Sequence, residues 1–261
     1  MTLITVDQAL CARDGICRDV CPVGCIDMDR ASGLPQETPD PACIACGHCV
    51  AACPHGALSN SQVDAAACLR QPTDLPGEAS LRSLLLARRS VRAYRRKPVE
   101  RSLLAELLET ARRAPTASNS QHVHWIACAD KDRVHEMAQL GARWMRAVGL
   151  RPRLVELWDK GRDVVMRGAP AFVGAWTPAD YPWGAVDSSI ALTYLELHAA
   201  TAGLGACWAG LLTAAARQQP ELRALLGLQD GQTLHGGLML GWPRHAYRLV
   251  PPRREARVAW V

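Results

Sequence analysis

The spacing of the cysteines limits this chain more than any other feature of its sequence. The chain has 261 residues and 11 cysteines, and eight of the cysteines fall between Cys11 and Cys53. Four of these eight follow the pattern C-x2-C-x2-C-x3-C-P, which begins at Cys43 and ends at Pro54. Spacing this tight lets three thiolates of a single loop reach the same metal centre, while the fourth turns away with the proline that follows it.

The run from Cys43 to Pro54 is typical of iron–sulfur clusters rather than of zinc. Bacterial ferredoxins that hold two clusters use this run, and its fourth cysteine ligates the other cluster. A structural zinc ion needs two separated pairs of ligands around a tetrahedral site. Four cysteines within eleven residues suit that arrangement poorly, so the run predicts an iron–sulfur site.

An earlier run repeats this frame with one change. It reads Cys11-x2-Asp14-x2-Cys17-x3-Cys21-Pro22, so an aspartate stands where the second cysteine is expected. The pair of runs resembles a two-cluster bacterial ferredoxin. The resemblance implies one [4Fe–4S] cluster held by Cys21, Cys43, Cys46 and Cys49, and a second cluster held by Cys11, Cys17 and Cys53.

Asp14 decides what the second cluster can be. A carboxylate is a harder ligand than a thiolate and is replaced or lost more easily. The second cluster is therefore expected to be a [4Fe–4S] cluster with Asp14 as a ligand, or a [3Fe–4S] cluster. The open alternative is that Asp14 is a solvated turn residue before Gly15. Cys25 lies outside the frame and is expected to be a small buried residue.

Charge is distributed unevenly along the chain. Residues 1–75 carry nine acidic and four basic side chains, a net charge of −5, so the chain's total of +5 leaves +10 for the remainder. An acidic N-terminal region followed by a basic remainder is not the charge pattern of a nucleic-acid-binding arm. The basic part suits an anionic cofactor or an acidic protein partner, with ordinary surface charge as the alternative.

The thiols indicate the compartment. The N-terminal residues lack the features of a signal peptide, and no stretch approaches the ~18 apolar residues of a membrane span. Clustered cysteines in a reducing compartment indicate metal or redox chemistry more often than disulfides. We therefore expect a cytoplasmic protein that neither enters a membrane nor binds nucleic acid.

Residues 66–79 read as a linker, because Pro72, Pro76 and Gly77 interrupt regular structure there. Beyond it, residues 102–113 have the apolar periodicity of an amphipathic helix. Buried strands are predicted at residues 124–129, 171–176 and 235–241. A long helix at residues 187–202 is apolar nearly all round, which predicts that it is buried, with a subunit interface as one way to bury it.

Arginine is concentrated just after the linker, in the segment Arg88-Arg89-Ser90-Val91-Arg92. Three guanidinium groups and a hydroxyl within five residues offer bidentate donors to a phosphate. The segment is weak evidence when it stands alone, since a solvated helix end has the same composition.

From Ser80 onward the chain resembles the nitroreductase family of FMN enzymes, in the branch that carries a ferredoxin domain. The resemblance rests on the arginine-rich segment, on the polar loop at residues 114–121, and on residues 191–197 and 203–210. It implies that Arg88, Ser90 and Arg92 hold the FMN phosphate and ribityl chain. Arg89 adds a flavin contact.

The resemblance assigns the remaining flavin contacts as well. It places Ser118, Asn119 and Gln121 in a flavin-binding loop, with the Asn119 amide often acting across the dimer interface. A backbone N–H near Gly210 and Leu211 faces the flavin N5 edge, where a donor stabilises reduced flavin. Arg253 and Arg254, in the C-terminal tail, reach the phosphate. No side chain is identified as a general acid.

These expectations combine into an α+β protein with two domains. Residues 1–65 form a small two-cluster ferredoxin-like domain, residues 66–79 a linker, and residues 80–261 a nitroreductase-like FMN-binding domain. The chain is expected to form a homodimer with two FMN molecules at its interface.

The preferred function is an FMN-dependent oxidoreductase. Electrons enter at the clusters, collect at FMN and pass to a small oxidised acceptor of the nitroaromatic, quinone or enone type. The expected donor is a ferredoxin or NAD(P)H. Two alternatives stay open: an NAD(P)H-dependent reductase that sends electrons outward through the clusters, and a non-catalytic redox or oxygen sensor.

Overall fold

The structure is a computed structural model and describes residues 2–261. The chain divides into two compact units. The first comprises Met1–Leu75 together with the short segment Ala117–Ser120, and the second comprises Pro76–Thr116 and Gln121–Val261. Each unit has its own hydrophobic core.

The first unit is built from short elements in two similar halves. Its elements are β1 (Ile4–Val6), α1 (Ile16–Asp19), β2 (Ile26–Met28), β3 (Pro35–Glu37), α2 (His48–Ala51) and β4 (Leu58–Asn60). Strand β1 pairs antiparallel with β4, and β2 pairs antiparallel with β3. Helix α2 begins thirty-two positions after α1, and β4 begins thirty-two positions after β2. The repeated cysteine frame therefore corresponds to a repeated fold.

The turns that begin α1 and α2 need the same backbone conformation. Gly15 precedes α1 with a φ of 76°, and Gly47 precedes α2 with a φ of 74°. Glycine adopts this left-handed conformation without steric cost. The two glycines allow the loop to fold back so that the cysteines on both sides of each turn face the same cavity.

The second unit begins with helices and continues as a sheet covered by helices. Its elements are α3 (Glu78–Ala87), α4 (Arg101–Ala111), β5 (His124–Cys128), α5 (Lys131–Ala147), α6 (Pro152–Asp159), β6 (Ala171–Pro178), α7 (Gly184–Thr201), β7 (Gly205–Trp208), α8 (Gly210–Ala216), α9 (Pro220–Leu225) and β8 (Gln232–Gly241). The strand order is β5-β6-β8-β7, and every neighbouring pair is antiparallel.

Alternate residues of the central strands β6 and β8 pack into two different hydrophobic cores, one on each face of the sheet. Phe172 and Met239 pack on one face of the sheet with residues of α5, α8 and α9. Val173 and Leu238 pack on the opposite face with residues of α4 and α7. Because side chains in a strand alternate between faces, strands buried on both faces have continuous apolar sequences.

The predicted elements are confirmed, with small shifts at their ends. The helix expected at residues 102–113 is α4, and the three expected strands are β5, β6 and β8, of which β6 and β8 are longer than predicted. The predicted linker at residues 66–79 overlaps a short 3-10 turn at Ala65–Ala67 and the start of α3 at Glu78.

The long apolar helix is α7, and within the single chain it is buried on one side only. Leu192 and Leu195 of α7 are fully buried against the sheet. On the opposite side, Val186 is 50% exposed and Tyr194 is 41% exposed. Across residues 2–261, the structure contains no helix with the length and apolar character needed to cross a membrane.

Candidate cluster and cofactor sites

Two cavities in the first unit are lined by the cysteines of the two runs. The lining of the first includes Cys21, Cys25, Cys43, Cys46 and Cys49, and that of the second includes Cys11, Asp14, Cys17 and Cys53. The structure thus brings each implied ligand set together, with the fourth cysteine of each run at the other run's cavity.

Backbone amides donate to the cysteine sulfurs at matching places in the two halves. The Cys25 N–H donates to the Sγ of Cys21 at 3.2 Å, and the Ala57 N–H donates to the Sγ of Cys53 at 3.3 Å. These two donors lie thirty-two positions apart, like the helices and strands around them. Amides that point at sulfur stabilise thiolate charge, which is what a cluster ligand needs.

The arrangement suits clusters better than single ions. Among residues 2–261, no group of three or more His, Cys, Asp or Glu side chains converges closely enough to hold one metal ion. A single zinc ion would need four donors at about 2.0–2.3 Å. Thiolates spread around the wall of a cavity instead suit a polynuclear cluster, whose irons each take a different ligand.

Burial affects the thiols of this unit unequally. Burial raises the pKa of Cys17 and of Cys49. Burial, together with the neighbouring thiols of Cys21 and Cys43, raises the pKa of Cys25 to about 11. Burial acts to raise the pKa of Cys21 too, but the amides of Cys25 and Val23 outweigh it and the pKa is lowered. Cys25 is only 2% exposed, in line with the expectation of a small buried residue.

Asp14 lines the second cavity but is also part of a turn. Its Oδ1 accepts a hydrogen bond from the Ile16 N–H at 3.1 Å, at the start of α1. The side chain is exposed, and a carboxylate has lone pairs beyond the one used here. Both interpretations of Asp14, as a ligand and as a turn residue, therefore have a counterpart in the structure.

In the second unit, the arginine-rich segment runs beside β7. Ser90 forms an isolated parallel bridge with Ala206, and the Val91 N–H donates to the Ala206 carbonyl at 2.9 Å. The approach is close because Gly205 has no side chain: a Cβ there would lie 2.6 Å from a methyl of Val91. The glycine of one predicted flavin segment thus lets the arginine segment lie directly against it.

Arg88 and Arg89 differ in their surroundings. Arg88 donates from Nη1 to Oε1 of Glu196 on α7 at 3.0 Å. Arg89 donates to the carbonyls of Leu86 and Arg88, both at 2.6 Å, while its buried Nε has no hydrogen-bond partner among the described residues. Both arginines line a wide, basic cavity with Arg95 and Lys97.

A second basic group surrounds Cys207. Burial raises the pKa of the Cys207 thiol, whereas the charge of Arg92, a hydrogen bond from Ser90 and the charge of Arg167 act to lower it. Burial lowers the pKa of Arg167, and the positive charges of Arg92 and Arg162 lower it further. Like charges disfavour one another, and a bound anion near these arginines would relieve that repulsion.

The polar loop is divided between the two units. Asn119 belongs to the first unit, where its Nδ2 donates to the carbonyls of Ile44 and Ala45 at 3.1 Å each. Ser118 and Asn119 have positive φ angles of 50° and 53°. Gln121 belongs to the second unit, and its N–H donates to the Thr116 hydroxyl at 3.0 Å.

The remaining predicted contacts lie at two separate places. Gly210 and Leu211 begin α8 directly after β7, and a Cβ at Gly210 would have open space around it. Arg253 and Arg254 lie in the exposed C-terminal tail. The structure therefore gathers Arg88–Arg92 with the segment that leads to Gly210.

Comparison with known families decides what the second unit is. Residues 85–242, more than half of the chain, match the nitroreductase family. The chain belongs to the nitroreductase family. Residues 3–54 match the 4Fe–4S dicluster domain, so this nitroreductase carries an N-terminal iron–sulfur domain.

Individual relatives agree with this assignment. The chain is 30% identical over 179 residues to a protein from Thermus thermophilus named NADH dehydrogenase. The aligned residues cover 60% of this chain and 84% of the relative. The crystal structure of a Bacteroides fragilis nitroreductase with bound FMN superposes with a TM-score of 0.58 at 23% identity, over 71% of this chain and 99% of the other. Over 39 residues, the chain is 49% identical to protein NrfC of Escherichia coli, covering 15% of this chain and 17% of NrfC.

The residues of this nitroreductase fit an FMN phosphate. The buried Nε of Arg89 lacks a partner, and Arg92 and Arg167 carry like charges in the same neighbourhood. Each feature suits an anionic group such as a phosphate, which accepts several charge-assisted hydrogen bonds. They belong to different groups of side chains, because Arg89 lines the cavity with Arg95 and Lys97, whereas Arg92 and Arg167 act on Cys207. Arg167 was not among the predicted site residues, because it stands alone in the sequence and joins the others only through the fold.

Proposed function

We propose that this nitroreductase takes single electrons at its iron–sulfur domain and delivers them through FMN to a small oxidised acceptor of the nitroaromatic, quinone or enone type. The observation that carries the proposal is the pairing of two cluster-lining cysteine sets with a nitroreductase unit in one chain. FMN exchanges electrons singly and in pairs, whereas each cluster exchanges one at a time. The acidic first unit suits a donor protein with a basic face.

In this proposal each of the two cysteine sets ligates one cluster, in the cavity that the set lines. Cys21, Cys43, Cys46 and Cys49 hold one [4Fe–4S] cluster, and Cys11, Cys17 and Cys53 hold the other with or without Asp14. Asp14→Cys tests the last point by EPR of the reduced protein. A changed spectrum for one cluster would support ligation by Asp14, and an unchanged spectrum would show that Asp14 is only a turn residue.

The FMN contacts of this proposal come from both predicted and newly found residues. Arg88, Ser90, Arg92 and Arg167 hold the phosphate and ribityl chain, with Arg89, Arg253 and Arg254 adding charge. Gln121, Gly210 and Leu211, all in the second unit, contact the flavin. The flavin contacts expected of Ser118 and Asn119, which belong to the first unit, stay predictions from the resemblance.

We propose a homodimer as the assembly. The exposed face of α7, which includes Val186 and Tyr194, is an apolar helix surface that a second copy would cover. Sedimentation or light scattering of the loaded protein tests this, and a monomer at micromolar concentration would contradict it. We also propose a cytoplasmic location, since cluster ligands need thiols kept reduced.

Anaerobic stopped-flow measurements with two reductants test the direction of electron flow. Reduced ferredoxin should bleach the cluster bands before the flavin band. Cys46→Ser, which removes a thiol from the first cavity, should slow flavin reduction by ferredoxin by at least tenfold. Cys68→Ser is the matched control, because Cys68 is exposed and lines neither cavity.

The second candidate function is an NAD(P)H-dependent reductase that sends electrons outward. The similarity to the protein named NADH dehydrogenase favours it. In that case NAD(P)H reduces the flavin first and Cys46→Ser leaves this step unchanged. Iron, sulfide and FMN analysis of the anaerobic protein comes before both tests, and protein that binds no FMN would exclude both functions.

A further inference from the structure

Asn60 is a buried amide at the edge of the first cavity. It is the last residue of β4, is 6% exposed, and is one of few buried polar side chains in the chain. Its Nδ2 lies 3.8 Å from the Sγ of Cys43 and 3.9 Å from the Sγ of Cys49. Both distances are within the range for an N–H···S hydrogen bond, and one amide nitrogen has two hydrogens to donate.

The orientation of this amide is fixed by a second contact. The Gln62 N–H donates to Oδ1 of Asn60 at 2.8 Å. A backbone N–H can only donate, so the oxygen of Asn60 has to face Gln62. The nitrogen is therefore the end that faces the two sulfurs, which settles an ambiguity that amide side chains usually carry.

The other half of the first unit has no such donor. The position thirty-two residues before Asn60 is Met28, which ends β2 as Asn60 ends β4. A thioether has no hydrogen to donate. The backbone donors of Cys25 and Ala57 are shared by both halves, so Asn60 is a side-chain contact that makes the two cavities different.

We propose that Asn60 raises the reduction potential of the cluster held by Cys21, Cys43, Cys46 and Cys49 by donating to two of its thiolates. The inference rests on the cluster assignment proposed above. One-electron reduction adds negative charge that is shared with the sulfurs, and an N–H donor stabilises that charge more strongly in the reduced state. Hydrogen bonds to the sulfurs are a known determinant of cluster potentials.

The consequence is a preferred direction of electron transfer between the two clusters. The cluster beside Asn60 has the higher reduction potential and is reduced first. The position of Asn60 is taken by Met28 in the other half, and the second cavity has the carboxylate of Asp14 in its lining. Asn60 is a positioning and tuning residue here, since it touches the ligand sulfurs and not a substrate.

Three variants of the full-length, cluster-loaded protein test the proposal by EPR-monitored redox titration. Asn60→Leu removes both the donor and the acceptor of the side chain. Asn60→Asp keeps the acceptor for Gln62 but replaces the donor with a negative charge. Met28→Leu is the matched control at the equivalent position of the other half.

We expect Asn60→Leu to disfavour reduction of one cluster by about tenfold, which is about 59 mV for a one-electron couple. Asn60→Asp should disfavour it more, and Met28→Leu should leave both potentials unchanged. If the side chain only holds the turn, Asn60→Asp would be silent and Asn60→Leu would lose the cluster. That result, or unchanged potentials in fully loaded variants, would overturn the proposal.

Iron and sulfide analysis separates this failure from others. If Asn60→Leu does not bind its clusters, the reduction potentials of Asn60→Asp test the proposal instead. Asn60→Ser is a smaller variant that also lacks the amide donor. A wild-type protein that lacks the two clusters would instead refute the function proposed above. If the wild type holds both clusters but the Asn60 variants have the same reduction potentials as the wild type, only the present inference is refuted.

Discussion

Arg88 donates a charge-assisted hydrogen bond to Glu196 at 3.0 Å, and the Glu196 side chain is only 7% exposed. The pair joins the arginine-rich segment to the long helix α7. Removing the arginine leaves a carboxylate buried without its charge partner, which is costly. We expect Arg88→Ala to lower the free energy of unfolding by about 2–3 kcal/mol, as measured by urea denaturation of the protein before FMN is added.

The Glu109–Arg112 pair provides the control. Both of its side chains are more than half exposed, and exposed pairs contribute about 0–1 kcal/mol. Arg112→Ala should therefore change the free energy of unfolding by less than 1 kcal/mol. Equal losses for the two variants would show that the burial of Glu196 does not matter.

The close approach of Gly205 and Val91 leads to a second prediction. A Cβ at position 205 would lie 2.6–2.8 Å from the side chain of Val91, so Gly205→Ala should lower the free energy of unfolding by about 1–3 kcal/mol. Val91→Ala removes the two methyls that the new Cβ would meet at 2.6 and 2.8 Å, but it keeps the Val91 Cβ at 2.7 Å, so it relieves only part of the overlap. The double variant Gly205→Ala/Val91→Ala should lose less than the sum of the single variants, and a double-mutant cycle measures this coupling. Strict additivity would contradict the contact.

The cysteine sets could be proposed from the sequence because the information on them is local. Ligand spacing along a short loop limits which thiolates can share a centre, and the two cavities have the linings that the resemblance implied. The helices and strands of the second unit were found for a similar reason, since periodicity reports burial.

What the sequence did not reveal depends on the fold. Asn60 acts on Cys43 and Cys49 only because β4 passes beside them. Arg167 joins Arg92 across many residues of chain, and nothing in its own neighbourhood marks it. The sequence does not tell which side of α7 is exposed in the single chain, because an apolar helix surface has the same sequence whether this chain or a second copy covers it.

Arg167 is the subject of a third prediction. If Arg92 and Arg167 share an anion, removing either one weakens FMN binding by the loss of a charge-assisted hydrogen bond, worth about 1.5–3 kcal/mol. Arg167→Met should therefore raise the Kd for FMN by about tenfold to a hundredfold, as measured by flavin fluorescence quenching. Arg101→Met, on the exposed side of α4, is the control and should bind FMN like the wild type. Unchanged affinity in Arg167→Met would remove Arg167 from the phosphate site.

Gly210 allows the shape of the flavin site to be tested without harming the fold. A Cβ at this position meets no other atom within 4 Å, and alanine favours a helix more than glycine does by up to about 1 kcal/mol. Gly210→Ala should leave the free energy of unfolding unchanged or slightly higher. If the flavin lies against this backbone, the same variant binds FMN at least tenfold more weakly. Undiminished FMN binding would mean that the flavin lies elsewhere.

Stability depends on pH through His235, a half-buried residue of β8. Its Nε2 lies 2.9 Å from the Thr177 hydroxyl, and burial, together with the charge of Arg217, lowers its pKa from the ordinary value of 6.5. The folded protein therefore binds this proton less readily than the unfolded chain does. Stability from the neutral imidazole is fully present above pH 6.5 and declines as the pH falls through that value toward the lowered pKa of the folded state.

Urea denaturation at a series of pH values measures this decline. The free energy of unfolding should fall between pH 7 and pH 5, and His235→Gln, which cannot gain a proton, should reduce the slope. His245→Gln is the control, because His245 is exposed in the C-terminal segment. A slope that is the same in wild type and His235→Gln would show that other groups cause the acid sensitivity. A steeper slope in His235→Gln would mean that the folded state favours the proton on His235, which is opposite to the effect of burial.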